Sequence, residues 1–431
     1  MRVLRVYHAG RDPAHRARER ELLKHGVEVT LVVPSAWPGA AGESTLSAEP
    51  YPIVELDVSR AGDVNRHRYA AELRRVLGDA RPDLLDLHEE PFSVAAHQWL
   101  SAAPSGLPVV TYTAQNVDKR WPPPFAGYER GTYRRVAALY PCSRQAAAVS
   151  RGKGFSGLVE VIPLGFDPAL FFAGNQSLDE DVVTLMLVGR LVPEKGVREA
   201  VHALAHVAET RPARLVLLGA GPEEAPALEL AATLGIAPLI EVRRWGDAAA
   251  VADAMRSSHV VLVPSSPTST WTEQFGRVIV EAQASGALVA GYAAGAIEEV
   301  GGAAALTART GDVRALAAAV AGVLGDEAEF AERRRLGLEV SRGRTWGVVA
   351  AAQAQLYERA RFPAAARGLP RSPNQRRAAA RAEFGSTATT TAGLRPFALP
   401  LLRRGGAVPT ALGRLLDAAA ELRARLPVSR G

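Results

Sequence analysis

Residues 182–210 read VVTLMLVGRLVPEKGVREAVHALAHVAET, and this stretch decides the fold class. The run 182–188 is short and apolar but for Thr184, as a strand buried on both faces requires. Gly189 ends it, and a loop carrying Arg190 and Lys195 follows. Past Gly196 an alanine-rich amphipathic stretch predicts a helix over 197–210. Downstream, 214–218, 260–264 and 287–290 read as further strands, with another helix over 275–285. Upstream, the opening run (Val3, Leu4, Val6, Tyr7) and residues 27–33, 84–87, 109–113, 137–141 and 159–162 read as strands, separated by helical stretches such as 15–25 and 65–80. Strand–helix alternation implies parallel sheets covered on both faces. Two such units in tandem predict an α/β protein of two Rossmann-like, doubly wound domains facing across a cleft, with ligands at the carboxyl ends of the strands.

The expected division is 1–172 for the first domain, a linker at 173–181, 182–345 for the second domain and a helix at 346–360. The rest, 361–431, is a basic tail. It holds thirteen arginines against Glu383, Asp417 and Glu421, a net charge of +10, which leaves 38 basic and 42 acidic residues, −4, in the body. The high isoelectric point thus belongs to the tail. Within it, Leu412, Leu415, Leu416, Ala419, Leu422 and Leu426 recur at helical spacing and predict an amphipathic helix over 409–426. By charge alone such a tail suits anionic lipid or nucleic acid, or it is a solvated, disordered extension; no specific nucleic-acid partner is expected. A single cysteine, Cys142, excludes an internal disulfide and a zinc-type cysteine cluster. The start lacks the pattern of a secretory leader, and no apolar run is long enough to span a bilayer. A cytoplasmic protein, peripheral at most on the inner face of the membrane, is therefore expected.

The chemistry concentrates in 271–286, WTEQFGRVIVEAQASG. Glu273 and Glu281 lie eight residues apart around a helix start, about 12 Å along a helix axis. Each carboxylate can accept hydrogen bonds from a diol at opposite ends of an extended ligand. Between them Phe275 and Gly276 offer backbone N–H groups at a helix N-terminus, suited to phosphate. Sugar, diphosphate and ribose fit in that order. In the 189–196 loop, Arg190 brings a planar fork and Lys195 a mobile point charge to a leaving diphosphate. A glycine turn, Gly219-Ala220-Gly221, follows the 214–218 strand at the nucleotide-binding end. Residues 242–246 (VRRWG) are candidates to line a base pocket through their backbone, with Trp245 in the core. The acidic triplet 179–181 reads as solvated, so no metal ligand set is expected.

GRLVPEKG, the Pro264-Ser265 strand end, EQFGRVIVEAQASG and the following Gly295-Ala296-Ile297-Glu298-Glu299 together resemble the donor domain of the retaining GT-B glycosyltransferases of family 4. VIPLGFDPALF resembles that family's interdomain passage, and Trp346 with the next helix its terminal helix, which returns to the first domain. The resemblance implies transfer of a sugar from a nucleoside-diphosphate sugar, with retention and without metal or other cofactor, to a hydroxyl acceptor left unidentified. It assigns Arg190 and Lys195 to the diphosphate, Glu273 to the transferred sugar and Glu281 to the ribose. Gly189, Gly219, Phe275 and Gly276 become backbone contacts to the donor. The first domain departs from the pattern. His8-Ala9-Gly10-Arg11-Asp12 stands where relatives carry a Gly-Gly loop, leaving Gly10 for close donor approach and Arg11 for phosphate. Thr113-Ala114-Gln115-Asn116 replaces a familiar histidine. His88, Glu90, Gln115 and Asn116 are thus the acceptor-side candidates. A nucleotide-sugar epimerase or hydrolase of the same fold, and a non-catalytic scaffold with a membrane- or nucleic-acid-binding basic tail, stay open as alternatives.

Overall fold

A computed structural model describes residues 1–39, 49–244, 247–362 and 372–385. The first half forms a seven-stranded parallel sheet. Its strands are β1 (Arg2–Val6), β2 (Glu28–Pro34), β3 (Ile53–Leu56), β6 (Leu84–Leu87), β7 (Val109–Thr113), β8 (Ala138–Pro141) and β9 (Leu158–Val159), while β4 (Val58–Ser59) and β5 (Arg68–Tyr69) pair separately as a short antiparallel ribbon. The second half forms a six-stranded parallel sheet from β10 (Val183–Val188), β11 (Ala213–Leu218), β12 (Ile240–Arg243), β13 (Val260–Val263), β14 (Leu288–Tyr292) and β15 (Leu306–Ala308). The strand orders are β3-β2-β1-β6-β7-β8-β9 and β12-β11-β10-β13-β14-β15. The order therefore reverses between β1 and β6 in one sheet and between β10 and β13 in the other. At each reversal the flanking loops diverge and leave a crevice at the strand ends.

Each sheet is buried on both faces. Helix 197–208 packs Val197, Val201 and Leu204 on one side of the second sheet, against Leu185, Leu187 and Leu215. Ile279 and Val280 pack with Met186, Val261 and Val289 on the other. Several expectations shift in detail. The helix expected over 65–80 spans only Leu73–Ala80, because Arg68 and Tyr69 are drawn into the ribbon with Val58 and Ser59. The chain crosses between halves earlier than the 173–181 segment. Phe166 and Phe171 already belong to the second half's core, and Gly174 and Gln176 bond to the Ser285 carbonyl. It crosses back beside the same point: Phe166 N–H donates to the Arg344 carbonyl at 3.1 Å and Trp346 N–H to the Phe166 carbonyl at 3.0 Å. Helix Trp346–Arg361 then packs Leu356, Tyr357 and Ala360 in the first half's core, and the Tyr357 hydroxyl donates to Asp86 at 2.6 Å.

Of the basic segment, helix Pro373–Phe384 lies against helix Arg144–Gly152. Arg377 pairs with Asp118 at 2.6 Å, Glu383 with Arg151 at 3.2 Å, and Ala380 is fully buried. The helix expected over 409–426 lies outside the described residues, as do Trp245 and Gly246. Among the described residues no helix is long and apolar enough to cross a membrane.

Candidate active site

The loops at the two reversals supply the candidate groups. After β10, Gly189 and Gly219 lie back to back: a Cβ on Gly219 would stand 1.9 Å from the Gly189 carbonyl oxygen. The same loop turns at Gly196, with φ +72°, over the Pro264 carbonyl at the end of β13. This packing aims Lys195 at the loop after β13. Lys195 Nζ donates to Glu273 Oε2 at 2.6 Å and sits 5.2 Å from the centre of the Trp271 ring. Glu273 is buried and also accepts from Ser265 Oγ at 3.3 Å. The cation and acid expected at the reaction centre are therefore in direct contact, joined across 78 residues of chain.

Gly276, at φ +73°, is the N-cap of helix Arg277–Ala284 and lies beside Glu273, whose Cγ a Cβ there would approach to 3.3 Å. Phe275 anchors this helix start in the core. Glu281 sits about one and a half turns further on, buried, with Oε1 accepting from Arg277 Nε at 2.8 Å. Burial raises the Glu281 pKa above the usual carboxylate range, against the pull of Arg277. Arg190 is exposed at the loop tip and makes no ion pair among the described residues. The structure thus brings Gly189, Lys195, Gly219, Glu273, Phe275, Gly276 and Glu281 onto adjoining loops and one helix, with Arg190 free at their edge.

The first half fits its expectations less well. Gly10 offers no free backbone donor: its N–H donates to the Tyr7 carbonyl at 3.1 Å and its carbonyl accepts from Arg16 Nε at 2.6 Å. A Cβ there would stand 3.1 Å from Tyr7, 3.3 Å from Leu31 and 3.4 Å from Val33, a tight fit. Arg11 is buried and pairs with Glu55 at 2.7 Å. Gln115 is spent within its own half, where it donates to Glu129 and accepts from Trp121 Nε1 and Lys153 Nζ. Glu90 straps the next loop, accepting from Thr113 Oγ1 at 2.7 Å and Ala114 N at 2.8 Å. Its own burial pushes its pKa up to about 7. Asn116 instead reaches the other half, donating to the Glu273 carbonyl at 2.7 Å. Gln274 Nε2 returns a bond to the Ala114 carbonyl at 2.9 Å.

His88 is the acceptor-side candidate that lines open space. It stacks on Tyr112 with centroids 4.0 Å apart and shares a hydrogen bond with the Tyr140 hydroxyl. Burial, reinforced by Arg5 and Arg18, lowers its pKa well below the ordinary value, so its ring is neutral. A cavity of about 310 Å³ opens beside it, bounded by Arg5, Tyr7, His15 and Arg18 of the first half and Arg277 of the second. His15 lies 3.4 Å from Arg277, and burial together with that guanidinium drives its pKa down to about 4. None of His15, Arg18 and Arg277 was singled out from sequence; the only clue was that they flank Gly10 and Gly276. The whole crevice offers cations and helix N–H groups to an anionic ligand and buried carboxylates to its hydroxyls.

Two family models match in tandem: "Glycosyl transferase 4-like domain" over residues 17–165 and "Glycosyl transferases group 1" over 182–326. D-inositol 3-phosphate glycosyltransferase 2 of Catenulispora acidiphila is 30% identical over 225 residues, 47% of this chain and 51% of that one. The chain thus spans about half the length of the curated relatives it matches. Among solved structures, sucrose-phosphate synthase from Thermosynechococcus elongatus superposes with a TM-score of 0.66 at 18% identity, covering 83% of this chain and 98% of that one. HepE of Anabaena, solved with UDP and glucose, superposes with a TM-score of 0.60 at 17% identity, covering 83% and 99%. The two-sheet architecture is the GT-B fold, and the chain belongs to the family 4 glycosyltransferases, the glycosyl transferases group 1.

Proposed function

We propose that this chain transfers a sugar from a nucleoside-diphosphate sugar to a hydroxyl acceptor, with retention and with no metal at the diphosphate. One observation carries the reading: Lys195 and Glu273 meet at 2.6 Å beside the N-terminus of the helix that holds Glu281. A diphosphate laid on that helix start takes its N–H groups, with Arg190 and Lys195 beside it. The ammonium has three N–H groups, enough to keep Glu273 and reach a phosphate oxygen. Glu281 takes the ribose hydroxyls and Glu273 a hydroxyl of the transferred sugar. The bond from the anomeric carbon to the diphosphate breaks, and the acceptor oxygen forms its bond on the same face. The acceptor's proton passes to a diphosphate oxygen, so no strong protein base is needed, and the cations neutralise the departing charge. The neighbour's bound UDP and glucose support this donor class, and the relative's name, a glycosyltransferase, supports sugar transfer.

The test is a melting-temperature panel of UDP-, GDP-, ADP- and dTDP-sugars, followed by NMR of the product's anomeric coupling. A bound donor raises the melting temperature by mass action. Inverted configuration, or a donor altered equally well without any acceptor, overturns the reading. We further propose that the basic segment brings the protein to anionic membrane, with the first domain on the acceptor side. Equal binding of full-length chain and a 1–385 truncation to anionic vesicles would remove that part.

A further inference from the structure

We propose that His8, His67 and Glu89 form a binding site for a divalent transition metal of the zinc class. Residues distant in sequence meet here because β1 and β6 are neighbours at the strand-order reversal: His8 follows β1, Glu89 follows β6, and His67 precedes β5. Their ligand atoms all lie within 4.8 Å of one another. Glu89 is buried, and its two oxygens lie 2.9 Å from His8 Nδ1.

The decisive group is His67. Its ring is fully buried, and Nδ1 faces the Asp63 carbonyl at 3.2 Å. A carbonyl only accepts, so Nδ1 carries the hydrogen and Nε2 of the neutral ring is a bare lone pair. That Nε2 makes no hydrogen bond and points at Glu89 Oε1 from 3.9 Å. Two acceptors thus confront each other in the interior, an arrangement that costs free energy unless a positive centre lies between them. A ring nitrogen held by a carbonyl on its other nitrogen is also how proteins orient metal-ligating histidines. Metal–ligand bonds of about 2.0–2.2 Å bridge such a gap with small side-chain rotations. Two imidazoles and one carboxylate favour zinc-like ions over magnesium or calcium. Trp37 and Tyr69 wall the site, with ring centres 4.8 Å from His8 and 5.6 Å from His67. His8 is its partly exposed member, and three protein ligands leave a fourth position for an oxygen. The site lies at the strand ends of the first sheet.

Chelator-stripped full-length protein titrated with Co²⁺ should develop a visible ligand-field band that saturates at one equivalent and is abolished by Zn²⁺. His67→Gln should weaken Zn²⁺ binding in calorimetry about 100-fold or more, with melting in EDTA unchanged. Unchanged zinc affinity in that variant, or no stoichiometric ion in the wild type, overturns the proposal. Should His67→Gln fail to fold, zinc-edge anomalous diffraction from wild-type crystals decides: a peak among the three side chains supports the site, and none there ends it.

Discussion

Asn116 Nδ2 donates to the Glu273 carbonyl oxygen at 2.7 Å, so the first half grips the backbone of the residue whose side chain holds Lys195. The same amide also donates to Gln145 at 3.0 Å, which fixes its direction. The two halves are thus registered at the candidate reaction centre itself. We predict that Asn116→Ala lowers kcat/KM about 10-fold, the equivalent of one hydrogen bond of roughly 1.4 kcal/mol. Melting should change little, and small-angle scattering should show a more open pair of domains. Unaltered kinetics would mean that this bond does not hold the working arrangement.

Lys195→Met should reduce transfer by orders of magnitude. It should also cost about 1–3 kcal/mol of stability, because Glu273 is left buried with Ser265 as its one remaining side-chain partner among the described residues. Adding Glu273→Gln should recover most of that stability and none of the transfer. Denaturant melts and initial rates on the two single variants and the double variant check both halves of this prediction.

Glu281 holds its proton to higher pH than an ordinary carboxyl because it is buried. A protonated carboxyl accepts ribose hydroxyls less well. Donor affinity should therefore fall as pH drops, beginning above the ordinary range near 4.3. Glu281→Gln should flatten this dependence and weaken donor binding by about 10–100-fold, matching a hydrogen bond to a charged group of about 1.5–3 kcal/mol. Donor dissociation constants measured from pH 5 to 8 test it.

Glu90 gives a stability signature. Its folded pKa of about 7 lies above the unfolded value, so the folded state binds the extra proton between them. Stability from this group is present at low pH, declines as pH rises from the unfolded value to about 7, and is level beyond. Glu90→Gln should remove that slope and stabilise the protein above pH 7 by about 2–3 kcal/mol. Chemical melts at pH 5 and 8 give the comparison.

Gly219→Ala should destabilise by roughly 3 kcal/mol or more, since the new Cβ meets the Gly189 carbonyl oxygen and φ there is +154°. A variant that melts like the wild type would show that the two turns separate without cost.

The tandem α/β units, the buried strand ending at Gly189, and the helix start at Gly276 were readable from sequence, because each depends on contacts within about thirty residues. So was the meeting of Lys195 with Glu273 at the start of the helix that holds Glu281. Their loops follow directly on strands whose carboxyl ends must border a crevice, and Lys195 and Glu273 needed only a parallel sheet to face each other. The acceptor side was not readable. Gln115 and Glu90 look available in a linear chain, and only packing shows that Trp121, Lys153, Thr113 and Ala114 have claimed them.

Local sequence carries the alternation that forces two parallel sheets, and the residue types that suit an anionic sugar donor. Tertiary structure alone decided which polar groups remain unspent. It turned Asn116 into a tie between halves, closed Gly10 into the core, and set His67 against Glu89. A strand's local run of apolar residues fixes that it lies in a sheet covered on both faces. Strand order, set by the fold as a whole, fixes which distant loop ends stand beside one another.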